Sequence, residues 1–171
     1  NETQNGQKSR MRSNIETFSS LLIANRGEIA CRIIKTAKKC HLRTIAIYTS
    51  ADQDSPHVEL ADQSILIGDG PIVDSYLSIP KIINAALSLN VEAIHPGYGF
   101  LSENADFATA CEKNNIIFVG PKPKSIKIMG NKATAKKIVS AAGFQCIPGC
   151  ELNKRTSSEI SFLGKNVGYP L

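Results

Sequence analysis

Between Ile94 and Asn104 the chain reads IHPGYGFLSEN, a run whose residue types suit a loop that holds a ligand. Gly97 and Gly99 bracket Tyr98, and Pro96 forbids a continuing strand ladder at that point. A residue without Cβ takes positive φ and lets a ligand come close to the backbone. An aromatic side chain at the apex of such a loop is then placed to grip something. The same residues also make an ordinary tight strand-to-helix connection, and spacing alone leaves both readings open. A second candidate is Lys132, in the segment MGNK (129–132), at the opening of a helix. An ammonium group there opposes the helix dipole by only about 0.3–1 kcal/mol when exposed. An anionic ligand group beside it explains the placement, and solvent alone tolerates it. Arg26, next to Gly27, is suited to contact an anion or to pair with an acid such as Glu103. His95, at the end of a strand, is better suited to orient the following loop through its ring nitrogens than to act as a catalytic base.

The turn after the first strand disfavours hydride transfer on a dinucleotide. Such a site calls for GxGxxG at that turn, whereas the loop is ANRGEIA, with one glycine and with Glu28 where a phosphate would sit. The chain contains neither GxxxxGK[ST] nor GxSxG, and His41, His57 and His95 have no identifiable nucleophile partner. Cys146 and Cys150 lack both CxxC spacing and a histidine pair, so no zinc site and no other metal site is expected.

These candidates need elements to carry them, and the pattern supplies an alternation of strands and helices. Apolar strands are expected at Leu21–Ala24, Arg43–Thr49, Gln63–Ile67, Glu92–His95 and Ile116–Val119. In the first helix Ala30, Ile33, Ile34 and Ala37 share one face, and in the next long one Ile79, Ile82, Ile83, Ala86 and Leu87 do so. Pro80 opens that helix, and Ser102 is expected to cap the one after the glycine loop, with Glu103 in its first turn. Alternation at this spacing means βαβ units, a parallel sheet and right-handed crossovers. In a doubly wound sheet the first and fourth strands are neighbours where the strand order reverses. Their outgoing loops, NRGE and HPGYG, should flank one crevice. After Pro121 the pattern changes to helices at 125–129, 131–142 and 157–166, with Gly143 ending the second.

Composition sets the remaining bounds. The chain has 171 residues, 42% hydrophobic and 20% charged, as in an ordinary globular protein. No apolar run approaches the ~20 residues of a membrane span, and the first 19 residues are polar and aperiodic, read as a disordered leader or a remnant of cloning. They carry no apolar signal-peptide core. Five scattered cysteines, Cys31, Cys40, Cys111, Cys146 and Cys150, read mostly as small buried hydrophobes in a reducing compartment. The net charge of +5 is unevenly spread. Between Ala46 and Asp106 nine acids face the single Lys81, while Pro121–Lys137 holds six lysines and no acid. That basic block suits a solvated helical surface first, a polyphosphate ligand next and nucleic acid least, since it lacks arginines and aromatics.

Taken together, LLIANRGEIACRII (21–34), RTIAIYTSADQDSPHVELAD (43–62), DSYLSIPKII (74–83), AIHPGYGFLSEN (93–104), IIFVGP (116–121) and MGNK (129–132) resemble the biotin carboxylase family. The resemblance covers about Leu21 to Gly149 and extends weakly to Gly168-Tyr-Pro. It implies an α/β fold: a Rossmann-like N-terminal domain at 20–125, then the first, incomplete segment of an ATP-grasp domain at 126–171. The family's enzymes use ATP and Mg²⁺ to activate bicarbonate, as carboxyphosphate, and carboxylate biotin on a carrier protein. By resemblance Lys132 reaches the ATP phosphates, and Tyr98 and Gly99 lie near biotin and bicarbonate. The catalytic residues and metal ligands are expected beyond Leu171, so the chain alone is expected to be inactive, with weak ATP binding at most. The implied partners are a biotin carboxyl carrier protein or domain and a carboxyltransferase, with neither nucleic acid nor membrane. The implied location is bacterial cytoplasm or mitochondrial matrix. Some bacterial relatives form a homo-oligomer through arginines and a glutamate on the first helix. Here those places hold Arg32, Lys35 and Lys39, so the acid is missing. The competing readings are another ATP-grasp ligase, of the carbamoyl phosphate synthetase kind, and a non-catalytic α/β binding module.

Overall fold

Short apolar strands separated by amphipathic helices begin at Ser20, and each strand is too brief to be stable unless neighbours pair with it. In the computed structural model, which describes residues 17–148 and 156–168, they pair in parallel. The strands are β1 (Ser20–Ile23), β2 (Arg43–Tyr48), β3 (Gln63–Leu66), β4 (Ala93–His95) and β5 (Ile117–Phe118), in the order β3-β2-β1-β4-β5. Order thus reverses between β1 and β4, as the sequence predicts, with Ile23 opposite His95. The chain divides into two compact units, residues 17–102 with 110–120, and 103–109 with the described part of 121–171.

In the first unit α1 (Gly27–Lys39) and α2 (Pro56–Leu60) follow β1 and β2 and pack on each other, and α3 (Ile79–Ser88) precedes β4. Leu22, Ile23, Ile45, Ile47 and Ile94 are fully buried, the near-continuous apolar strands of a sheet covered on both faces. The α1 face holds Ile29, Ala30, Ile34 and Ala37, and α3 buries Ile82, Ile83, Ala85 and Ala86. Leu87, assigned to that face by periodicity, is exposed instead. At the opposite ends of the strands a polar clip adds to the sheet. The Ser19 amide and hydroxyl donate to the Glu92 carboxylate at 2.6 and 3.0 Å, and the Arg43 amide donates to the Ser19 carbonyl. Phe18 and Ser19 therefore belong to the folded unit, not to a polar leader. Residues 1–16 lie outside the described residues.

The helix α4 (Ala105–Lys113) corrects the expected cap. The Phe107 amide donates to Asn104 Oδ1 at 2.9 Å, so Asn104 is the N-cap and Asp106 the first-turn acid. Ser102 is still inside the preceding turn, its amide donating to the Gly99 carbonyl. The reason is Phe100, at φ 42°, which adds a left-handed step before the helix can start. The second unit also holds α5 (Pro123–Met129), α6 (Lys132–Ala141) and α7 (Ser157–Val167). Gly143 follows α6 at φ 86°, and α7 starts with a reciprocal capping box between Thr156 and Glu159. No residue of α6 is buried, and Ile138, Phe144, Ile147 and Phe162 are exposed. No helix among the described residues is long and apolar enough to cross a membrane.

Of the four cysteines among the described residues, only Cys111 is buried, which pushes its thiol up to about 12; Cys40 is exposed. The expectation of mostly buried cysteines therefore fails, because Cys31 lies off the apolar stripe of α1 and Cys40 follows the end of that helix. Cys150 lies outside the described residues. The cap assignment is testable by urea denaturation: Asn104→Ala should cost about 1 kcal/mol. Ser102→Ala should stay within about 0.5 kcal/mol of the parent.

Candidate functional site

Asn25 sits two residues after the end of β1 and is almost wholly buried. Its carboxamide cannot remain unpaired there without a cost of about 1–3 kcal/mol, and it finds three partners. Its Nδ2 donates to the Pro96 and Tyr98 carbonyls, both at 2.8 Å, and its Oδ1 accepts from the Arg26 amide at 2.9 Å. The Ala24 amide donates to the His95 carbonyl at 2.9 Å, continuing the β1–β4 ladder into the loops. The two outgoing loops are thus sewn together at the point where strand order reverses. This is the side-by-side placement of the two loops predicted from the alternation.

The glycine loop is shaped from both ends. The Gly97 amide donates to His95 Nδ1 at 3.0 Å, so His95 orients the loop as expected, and burial holds its pKa below the ordinary value. Gly97 has φ 67°, and a Cβ there would lie 2.7 Å from Asn25 Nδ2. Gly99 has φ 66° but faces open space. Between them Tyr98 is 59% exposed, and its phenol donates to Glu28 Oε1 at 2.6 Å. Glu28, at the start of α1, therefore serves as the partner of the loop's aromatic residue, and its hydrogen bond raises the Tyr98 pKa.

Arg26 pairs with an acid, but not with Glu103. Its Nη1 lies 3.2 Å from both carboxylate oxygens of Asp52, in the turn after β2. Its acid comes from the adjacent strand's loop, which linear spacing does not reveal. Asp52 also accepts from the Tyr76 phenol at 2.7 Å and from Thr49 Oγ1 at 3.2 Å. Burial raises the Asp52 pKa, but the Tyr76 and Arg26 hydrogen bonds outweigh it and hold the carboxyl below its ordinary value. The Arg26 guanidinium lies over the Tyr76 ring, 5.6 Å from its centroid, and the Phe100 ring stacks on Tyr76 at 5.4 Å and 9°. Sequence reasoning passed over Asn25, Asp52, Tyr76 and Phe100 as individuals; their only signal was membership of the matching blocks.

Lys132 is the first residue of α6 and is exposed. The Thr134 amide donates to the side chain of Asn131, the N-cap, and no acid occupies the first turn. The lysine therefore stands at a helix start whose own carboxylate counterpart is missing. Tyr98 and Gly99 share one loop beside Arg26, while Lys132 belongs to the other unit. Away from the glycine loop's apex, a groove of about 320 Å³ lies against α1, with Phe18, Ile33, Leu42, His95 and Val119 among the residues that line it. Among the described residues, no group of three His, Cys, Asp or Glu side chains is gathered to hold a metal ion.

Residues 17–126, which contain the strand-order switch and both of its loops, match the family described as biotin carboxylase, N-terminal domain. The chain belongs to this family. It is 48% identical over 154 residues to the biotin carboxylase of Nostoc sp., covering 90% of this chain and 34% of that protein. It is 47% identical to the mitochondrial methylcrotonoyl-CoA carboxylase subunit alpha of Dictyostelium discoideum, over 92% of this chain and 22% of the relative. The solved biotin carboxylase domain dimer of Hydrogenobacter thermophilus 2-oxoglutarate carboxylase, in complex with MgADP, ADP and bicarbonate, superposes with a TM-score of 0.83 at 42% identity. That match covers 91% of this chain and 34% of the solved one. The chain thus spans about a third of the length of the biotin carboxylases that it matches.

Two pairs of measurements probe this geometry. Gly97→Ala should destabilise the chain by about 2 kcal/mol or more, combining left-handed strain with a clash against Asn25. Gly99→Ala carries the strain alone, about 1–2 kcal/mol, and comparison of their urea midpoints checks the difference. The second pair concerns His57, fully buried, with its Nε2 3.3 Å from the Ile47 carbonyl and its Nδ1 without a partner. Desolvation lowers its pKa below the ordinary 6.5. The unfolded chain then binds more protons, so the stabilisation is complete above 6.5 and is lost as pH falls below it toward the folded value. Asp62, held at about 2 by Lys38 and Thr44 against an ordinary 3.8, adds a further loss below 3.8. Urea midpoints measured against pH should fall in these two windows, and His57→Gln should make the upper one shallower, with half-buried His95 supplying the remainder.

Proposed function

We propose that this chain supplies the N-terminal part of a biotin carboxylase, the ligase that uses ATP to carboxylate carrier-bound biotin with bicarbonate. One observation carries the reading: the Asn25-clamped loop presents Tyr98 and the open backbone of Gly99 at the switch point of a sheet whose sequence belongs to this family. Ligands of open α/β sheets bind in that crevice. Residues 20–125 serve as the N-terminal domain, and 126–171 as the first segment of an ATP-grasp domain.

In this reading each group has a stated task. Gly99, with nothing against its Cβ position, lets a polar ligand approach the backbone. Tyr98, its phenol turned to Glu28, offers a ring edge and an oriented hydroxyl beside biotin and bicarbonate. Lys132, exposed and without an acid in its helix's first turn, suits the phosphates of ATP. When bound, ATP supplies the activation of bicarbonate. The described residues gather no ligand set for Mg²⁺. The enzyme works with a biotin carboxyl carrier protein or domain and a carboxyltransferase, in bacterial cytoplasm or mitochondrial matrix, away from nucleic acid and membrane.

One lysine cannot supply the charge neutralisation that phosphoryl transfer needs. The purified 171-residue chain is therefore expected to show no ATP turnover; metal-dependent hydrolysis above background contradicts this. Titration with a non-hydrolysable ATP analogue should give weak binding that Lys132→Ala reduces about tenfold, the scale of one charge-assisted contact. Equal affinities remove Lys132 from the site.

A further inference from the structure

Phe100 closes the glycine loop, and its backbone sits at φ 42°, a left-handed conformation that is strained for a residue with a Cβ. Such a residue relaxes unless its surroundings hold it. The hold comes from three other loops at the same end of the sheet. The Phe100 ring stacks on Tyr76, from the connection between β3 and α3. The Tyr76 phenol is tied to Asp52, from the turn after β2, and Asp52 is tied to Arg26, from the turn after β1. Arg26 returns to the Tyr76 ring, which closes the circuit. Tyr76 is 1% exposed, so its hydroxyl has no water to fall back on if Asp52 is lost.

We propose that Asp52 and Tyr76 are positioning residues for the ligand-facing loop, holding Phe100 in its left-handed conformation and so setting where Tyr98 and Gly99 stand. Asn25 fixes the upstream carbonyls of Pro96 and Tyr98, and the Asp52–Tyr76–Phe100 chain fixes the downstream end. Neither Asp52 nor Tyr76 needs to touch a ligand for this. The inference rests on the reading of Tyr98 and Gly99 as ligand-facing residues, but its test uses no ligand, so the two can fail separately.

The test is amide hydrogen exchange by NMR on the 171-residue chain, with Tyr76→Phe, Asp52→Asn and Phe100→Leu. Tyr76→Phe keeps the ring for stacking and removes the phenol's bond to Asp52 together with its contact to Thr49. The Ser102 amide, which donates to the Gly99 carbonyl at 2.9 Å, reports the downstream end of the loop. Its exchange should rise about five- to tenfold in each variant, the scale of one ordinary hydrogen bond. Amides of β1 and β2 should keep the parent rates. As a second readout, the Tyr98 phenol titration should move down toward its ordinary value, because the bond to Glu28 is formed less often. Unchanged Ser102 exchange in Tyr76→Phe overturns the proposal. So does an equal rise throughout the sheet, which marks Tyr76 as a core residue with no particular hold on the loop.

Discussion

The side chain of Asn25 carries more of this architecture than its size suggests. A parallel sheet in the order β3-β2-β1-β4-β5 sends two loops out side by side between β1 and β4. Nothing in strand pairing alone fixes those loops against each other. The buried carboxamide does, by donating both its protons to the backbone of one loop and accepting from the backbone of its own. A buried amide group is intolerant of a missing partner, so the pairing of the two loops and the fold stand together. Gly97 is required at its position because a Cβ would meet that same carboxamide.

Around this clamp the unit uses its polar residues to link loops. Glu28 takes the Tyr98 phenol, His95 takes the Gly97 amide, and Asp52 gathers Arg26, Thr49 and Tyr76. Two of the acids that give the middle of the sequence its negative charge, Asp52 and Asp62, are therefore structural partners. Asp62 accepts from the Thr44 amide and hydroxyl and lies 2.9 Å from Lys38. The six lysines between Pro121 and Lys137 belong to the second unit, where a cationic surface is the property left to explain.

Much of the fold was legible in the chain because its signals are local. Alternating apolar strands and 3.6-period helices placed the five strands, with boundaries off by a residue or two, and the alternation itself implied the reversal between β1 and β4. The cap at Asn104 was missed because Phe100 adopts a conformation that its residue type does not advertise. The candidate site was legible only in part. Glycines around Tyr98 are a local signal, whereas the path Arg26–Asp52–Tyr76–Phe100 joins residues far apart in sequence and has no period. Charge pairing shows the same limit: an arginine beside a glycine announces that it needs an acid, but the fold chooses which one.

The Asn25-clamped loop is the proposed ligand-facing edge of the first unit. Its most direct test is to titrate ¹⁵N-labelled chain with free biotin and follow every assigned amide by NMR. Shifts should concentrate at Tyr98, Gly99 and Phe100, and should disappear in Asn25→Ala. No response at those amides, or a response confined to the groove beside α1, contradicts it.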